Sequence, residues 1–112
     1  TEKGVLIVAV PNCSSFDAKK YGAYWAAYDV PRHLWHFTPG TIQRLGSKHG
    51  FILAERHPMP FDAFYVSMLT EKNMRRSCPF MRGMITGTLA WFHALVKKER
   101  SSSMIYVFRK KR

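Results

Sequence analysis

Acidic residues are scarce in this sequence. Its 112 residues include 7 Asp and Glu against 18 Lys and Arg, which gives a formal net charge of +11. Such an excess predicts an anionic partner or surface. Cysteine is scarce as well, since Cys13 and Cys78 are the only two and lie far apart. A disulfide framework and a zinc site built from cysteines are therefore excluded, and we expect both thiols to be reduced.

Long hydrophobic runs are also missing. A bilayer span takes about 20 apolar residues, whereas the first apolar run extends only from Gly4 to Val10. That run has neither the charged leader nor the cleavage site of a signal peptide. We predict a cytoplasmic protein, with peripheral contact to a membrane as the alternative.

The composition that remains is that of a folded domain. Hydrophobic residues make up 46% of the chain and aromatic residues 14%, which suffices for one core and excludes disorder. Positions 56–112 hold 12 Lys and Arg and 3 acids, against 6 and 4 in positions 1–55. We predict a single partial domain over residues 1–112, with a helical insertion over 58–100 and a last strand and basic tail over 101–112.

Three apolar runs predict strands. The run from Gly4 to Val10 is continuous and rich in β-branched residues, which is typical of a strand covered on both faces, and it ends at Pro11. Phe51 to His57 and Met104 to Phe108 predict two further strands. Because the first strand starts so near Thr1, we expect the chain to be a piece of a longer protein.

Helix signals fall between these runs. Thr38 and Thr41 supply capping hydroxyls for a helix that Gly50 ends. A second helix is predicted with Asp62 as its cap, and a third with Pro79 at its first turn. The segment 12–40 is predicted to be a long loop, too rich in aromatic residues to be disordered.

The third predicted helix has a wide apolar face. No residue from Gly83 to Val96 carries a formal charge, and Gly83 and Gly87 form a Gly-x-x-x-Gly pattern within it. At about 1.5 Å per residue this stretch is too short to span a bilayer. Three interpretations stay open: a lid over a substrate cleft, a helical pair resting on an anionic membrane, or packing onto the sheet or a second copy.

Three segments carry a resemblance to a known family. They are GVLIVAVPN at 4–12, DVPRHLWHFTP at 29–39 and KHGF at 48–51. Together they resemble the C-terminal half of class I S-adenosylmethionine-dependent methyltransferases, in the branch related to ubiquinone-biosynthesis methyltransferases. The second segment is the most specific, because its polar residues at fixed spacing rarely recur by chance. The resemblance covers roughly residues 3–57.

The resemblance implies a fold. It is α/β, the C-terminal part of a Rossmann-like methyltransferase sheet of strand order 5-7-6, whose last strand is antiparallel, with a two-helix insertion. Val5 to Val10 would be strand five, Phe51 to His57 strand six and Met104 to Lys110 strand seven. Strand five would then have an unpaired outer edge, and we expect self-association through it.

S-adenosylmethionine is the cofactor that the resemblance implies. The glycine-rich turn and the ribose-binding acid of that family would lie N-terminal to Thr1, and no Gly-x-Gly pattern occurs in this sequence. We therefore predict no cofactor-binding residues here. The chain alone is expected to be inactive and to bind the cofactor weakly.

The substrate side of such an enzyme would remain, with a small-molecule or lipid-like acceptor. His33 is the candidate general base, because imidazole exchanges protons near neutral pH. Asn12, Arg32 and His36 are candidate substrate-binding residues. Each has a structural alternative: Asn12 as a turn former, the two histidines as loop-packing residues, and Arg32 as a partner of Asp29.

The sequence gives less support to other kinds of site and function. His33-x-x-His36 lacks further ligands at metal-binding spacing, so no metal is predicted, and Cys13 has no identifiable base to make it a nucleophile. A nucleic-acid-binding module is disfavoured because the aromatic residues cluster in 16–37 and the cations after 56. A membrane-associated interaction domain built on 61–100 stays as the alternative function.

Overall fold

In the computed structural model, residues 1–29 and 33–111 are described. Within them the chain forms a mixed α/β fold. Its elements in chain order are β1 (Val5–Pro11), α1 (Phe16–Tyr21), α2 (Pro39–Lys48), β2 (Phe51–Pro58), α3 (Asp62–Asn73), α4 (Pro79–Val96) and β3 (Ser103–Lys110). Short 3-10 turns lie at Gly22–Tyr24, Ala26–Tyr28 and Lys98–Arg100.

The three strands form one sheet in the order β1-β3-β2. The last strand is central and antiparallel to both neighbours, with Tyr106 opposite Val8 on one side and Arg56 on the other. The ladder to β2 shifts register between Leu53 and Glu55. The predicted strand positions and their order are therefore confirmed, whereas the assignment to a methyltransferase sheet stays a prediction.

One face of the sheet is covered by α2. Ile42 of this helix is buried against Met104, Tyr106 and Phe108 of β3. The helix begins with the predicted capping hydroxyls, since Thr38 Oγ1 accepts from the Thr41 amide at 3.2 Å and Thr41 Oγ1 accepts from the Thr38 amide at 2.7 Å. This reciprocal cap satisfies two backbone donors at the helix start.

The prediction that the first strand is covered on both faces is wrong. β1 lies at the edge of the sheet and is mostly exposed, with Ile7 63% accessible. A continuous apolar run indicates a strand that other elements could cover, but it does not determine which element packs on it. In the described part of the chain, α3 and α4 pack on each other and on α1 rather than over β1.

The segment 12–40 is also more regular than the predicted loop. It contains α1, which Ser15 caps by accepting from the Ala18 amide at 3.2 Å, and which ends at Gly22 with φ of 58°. Trp25 follows in a buried cluster with Ala18, Tyr21 and Val66. This segment therefore forms part of a second small core, between α1 and α3.

The two predicted helices after β2 form a close hairpin. A Cβ on Gly87 would lie 2.8 Å from Phe64 Cα and one on Gly83 2.6 Å from Met68 Cα, so only glycine permits this helix spacing. Asp62 is the first residue of α3 and not its cap, because Phe61 occupies the N-cap position. Among the described residues, no helix is both long and apolar enough to cross a membrane.

Candidate functional site

A small cleft lies beside the carboxyl end of β1. Its volume is about 180 Å³. Aromatic and imidazole side chains line most of it, and the full lining is Ala9, Val10, Pro11, Cys13, Trp25, His33, Trp35, His36 and Phe37. The cleft thus brings together His33 and His36, two of the residues that the sequence singled out.

The backbone after β1 holds this arrangement in place. Asn12 forms a parallel bridge with Phe37, and the Cys13 amide donates to the Phe37 carbonyl at 3.0 Å. These contacts bring residues 33–38 back beside the strand from which the chain departed. Two of the three segments that carry the family resemblance, 4–12 and the described part of 29–39, therefore meet at one end of the sheet.

Asn12 has a framework role in this structure. Its Nδ2 donates to the carbonyl oxygens of Glu99 at 2.6 Å and Ser101 at 3.0 Å, while its Oδ1 accepts from the amide and hydroxyl of Ser14. The residue is fully buried. Because both polar atoms are engaged and no surface is left, we assign Asn12 to the loop framework and not to ligand contact.

His33 is half-exposed at the cleft and lies next to Asp29. The His33 amide donates to the Asp29 carbonyl at 2.9 Å, and His33 Nε2 lies 3.9 Å from Asp29 Oδ2. The 3.9 Å separation is longer than a hydrogen bond, and both side chains are partly exposed.

His36 is held by aromatic packing. Its ring meets Tyr28 edge-on, with centroids 4.7 Å apart, and Tyr28 in turn meets Trp25 edge-on at 5.1 Å. This is the loop-packing role that the sequence left open for His36. Since His36 also lines the cleft, packing and ligand contact are compatible here. Arg32, the remaining predicted substrate-binding residue, lies outside the described residues.

A buried hydrogen-bonded group of Asp17, Trp25 and Ser102 lies next to the cleft, which Trp25 lines. Asp17 Oδ2 accepts from Trp25 Nε1 at 2.8 Å and from the Ser102 hydroxyl at 2.7 Å, and all three residues are buried. The sequence analysis missed this group because Ser102 is 85 positions from Asp17. The available signal was local: Ser15 as a helix cap, with Asp17 in the first turn.

The thiols offer no nucleophile at the cleft. Burial raises the pKa of the Cys13 thiol, so the protonated form dominates at neutral pH. Cys13 and Cys78 are both unpaired. The described residues also bring together no group of three or more His, Cys, Asp or Glu side chains that could hold a metal ion.

A larger depression, of about 490 Å³, lies along β2. Its lining includes Glu55, His57 and Lys98. His57 Nε2 lies 2.9 Å from Glu55 Oε2, and both side chains are exposed. Solvent-exposed charged pairs of this kind are common on protein surfaces. We therefore place the candidate site at the smaller cleft, where aromatic walls surround an imidazole.

Comparisons with protein-family models, with curated proteins and with solved structures find no match to this chain.

Proposed function

We propose that this chain is the acceptor-side half of an S-adenosylmethionine-dependent methyltransferase that acts on a small-molecule or lipid-like acceptor. One observation carries the proposal. Residues 33–39, which belong to the most specific part of the resemblance, lie beside the carboxyl end of β1 through the bridge between Asn12 and Phe37. Support also comes from the strand order, in which the last strand is central and antiparallel.

The chemistry proposed for this chain is proton removal from the acceptor. A hydroxyl acceptor must lose its proton as it is methylated, and a base at the cleft would take it. We propose His33 for this role, because it lines the cleft with about half of its side chain exposed. Trp35 and Phe37 would offer apolar contact to the body of the acceptor.

The residues of this chain do not fit the cofactor itself. No Gly-x-Gly pattern, which would form the turn that receives the cofactor in the family resembled, is present in the sequence. On the proposed function, residues outside this sequence would hold the cofactor.

Calorimetric titration with S-adenosylmethionine tests this division. We expect no binding by the 112-residue chain and clear binding once the sequence that precedes Thr1 in its reading frame is included. Tight binding to the 112-residue chain alone would show that the cofactor site is misplaced. Absence of binding to the longer chain, with a folded state confirmed by circular dichroism, would overturn the methyltransferase assignment.

A further inference from the structure

The outer face of α4 is apolar although it faces solvent. Large side chains lie along it over the whole helix, and Phe92 is 54% and Val96 88% accessible. The exposed apolar residues of this helix are Phe80, Met81, Met84, Ile85, Leu89, Phe92, Leu95 and Val96. A contiguous patch of this kind marks an interaction surface, since single exposed apolar residues are the rule elsewhere.

The inner face of α4 is built from small residues. Gly83, Thr86, Gly87, Ala90 and Ala94 are buried. The helix therefore places its small residues against α3 and its large apolar residues outside, the reverse of an ordinary surface helix. Helices that pack in contact with lipid follow this arrangement, because close packing uses small residues and the bilayer takes the large ones.

Exposed cations flank both ends of this face. Arg75, Arg76 and Arg82 lie at the start of α4, and Lys97 and Lys98 lie just beyond its end. Lys72 also lines an apolar groove between α3 and α4, together with Tyr65 and Phe80. The surface therefore combines an apolar centre with a cationic margin.

Carboxylates are few on the helix hairpin, where Asp62 at the start of α3 is partly exposed. Glu71 is the single acid in positions 63–98, and it is buried beneath Tyr21, which donates to its Oε1 at 2.9 Å. Glu99, the next acid, lies 3.3 Å from Arg56 Nη2. A second copy of the chain docked on this face would set cations against cations. Charge complementarity favours an anionic occupant instead.

We infer that the outer face of α4 docks onto an anionic phospholipid bilayer. The 18 residues of α4 measure about 27 Å at 1.5 Å per residue, and the helix would lie along the membrane surface with its apolar side chains among the upper acyl chains. Lys97 and Lys98 would contact lipid phosphates at one end, and Arg82 at the other.

Vesicle co-sedimentation of the 112-residue chain tests this inference. We expect binding to vesicles of phosphatidylcholine with phosphatidylglycerol to exceed binding to pure phosphatidylcholine by about tenfold or more. The double variant Ile85→Asn with Phe92→Asn should lose most of that binding. Its matched control, Ile7→Asn with Ile52→Asn, changes residues of the sheet with similar exposure and should bind normally.

A second matched pair tests the charges. Lys97→Gln with Lys98→Gln should weaken binding, whereas Lys110→Gln with Lys111→Gln removes the same charge at the end of β3 and should not. Equal binding to both vesicle types, or equal loss in both lysine pairs, would overturn the inference. Light scattering could instead show a dimer that dissociates when Ile85 and Phe92 are substituted. That result would assign the outer face of α4 to contact with a second copy of the chain and would overturn the inference.

Discussion

Tyr21 Oη donates a 2.9 Å hydrogen bond to Glu71 Oε1, joining α1 to α3 across 50 positions of sequence. Both side chains are buried. The other carboxylate oxygen, Glu71 Oε2, has no hydrogen-bond partner within the described part of the chain, although Arg76 Nη1 lies 3.6 Å away. The phenol of Tyr21 is thus the main group that satisfies a buried carboxylate.

Tyr21→Phe should therefore destabilise the fold. It removes the donor and leaves Glu71 Oε1 buried without its hydrogen bond, which costs about 1–3 kcal/mol of unfolding free energy. Urea denaturation followed by circular dichroism measures the effect. Tyr24→Phe is the control, because Tyr24 is exposed and should leave the midpoint unchanged. Equal midpoints for the two variants would contradict this role of Tyr21.

The buried tyrosines also predict a loss of stability in alkali. Burial raises the pKa of Tyr106 from 10.0 to about 12, and burial is likewise the largest cause of a rise to about 12 at Tyr21. The unfolded chain loses these protons first as the pH rises. The stabilisation is therefore complete below pH 10 and is lost as the pH rises through about 12.

The unfolding free energy measured against pH tests this dependence. Tyr106→Phe cannot ionise at this position, so its stability should fall less steeply than that of the unchanged chain between pH 10 and 12. The difference should reach up to about 3 kcal/mol for a two-unit shift. Parallel curves for the two proteins would show that the Tyr106 phenol ionises equally easily in the folded and unfolded states.

The helix hairpin depends on its glycines. In Gly87→Ala the new Cβ would lie 2.8 Å from Phe64 Cα, so the helices must separate, and we expect a loss of about 1–3 kcal/mol. Gly40→Ala in α2 is the matched control. Its Cβ meets only Thr38 Oγ1 at 3.9 Å, and alanine should stabilise that helix by about 0.5–1 kcal/mol. Thermal unfolding of both variants should give midpoint shifts of opposite sign; shifts of the same sign would contradict this packing.

The sequence predicts the ends of the helices and strands better than it predicts which of their faces are buried. Thr38 with Thr41, Gly50 and Pro79 mark helix ends by local chemistry, and the structure has those ends. The exposure of β1 and the outward direction of Ile85 depend on which elements pack together. Hydrophobic periodicity identifies an apolar face but does not name its partner.

The candidate site likewise combines residues that the sequence identifies with contacts that it does not predict. The resemblance singles out His33 and His36 as candidate site residues, and both line the cleft. The group formed by Asp17 and Ser102 joins residues 85 positions apart, and no local pattern predicts such a contact. The role of Asn12 depends likewise on carbonyl groups of the distant segment before β3.

The rate at which the labelled methyl group of S-adenosylmethionine reaches an acceptor tests the proposed function most directly. The assay uses the chain together with the sequence that precedes it, and a panel of hydroxyl, carboxylate and lipid acceptors. We predict measurable transfer, a fall in kcat of about 10²-fold in His33→Ala at unchanged Tm, and full activity in His49→Ala, which changes an exposed histidine at the end of α2. No transfer to any acceptor, or full turnover by His33→Ala, would contradict the account.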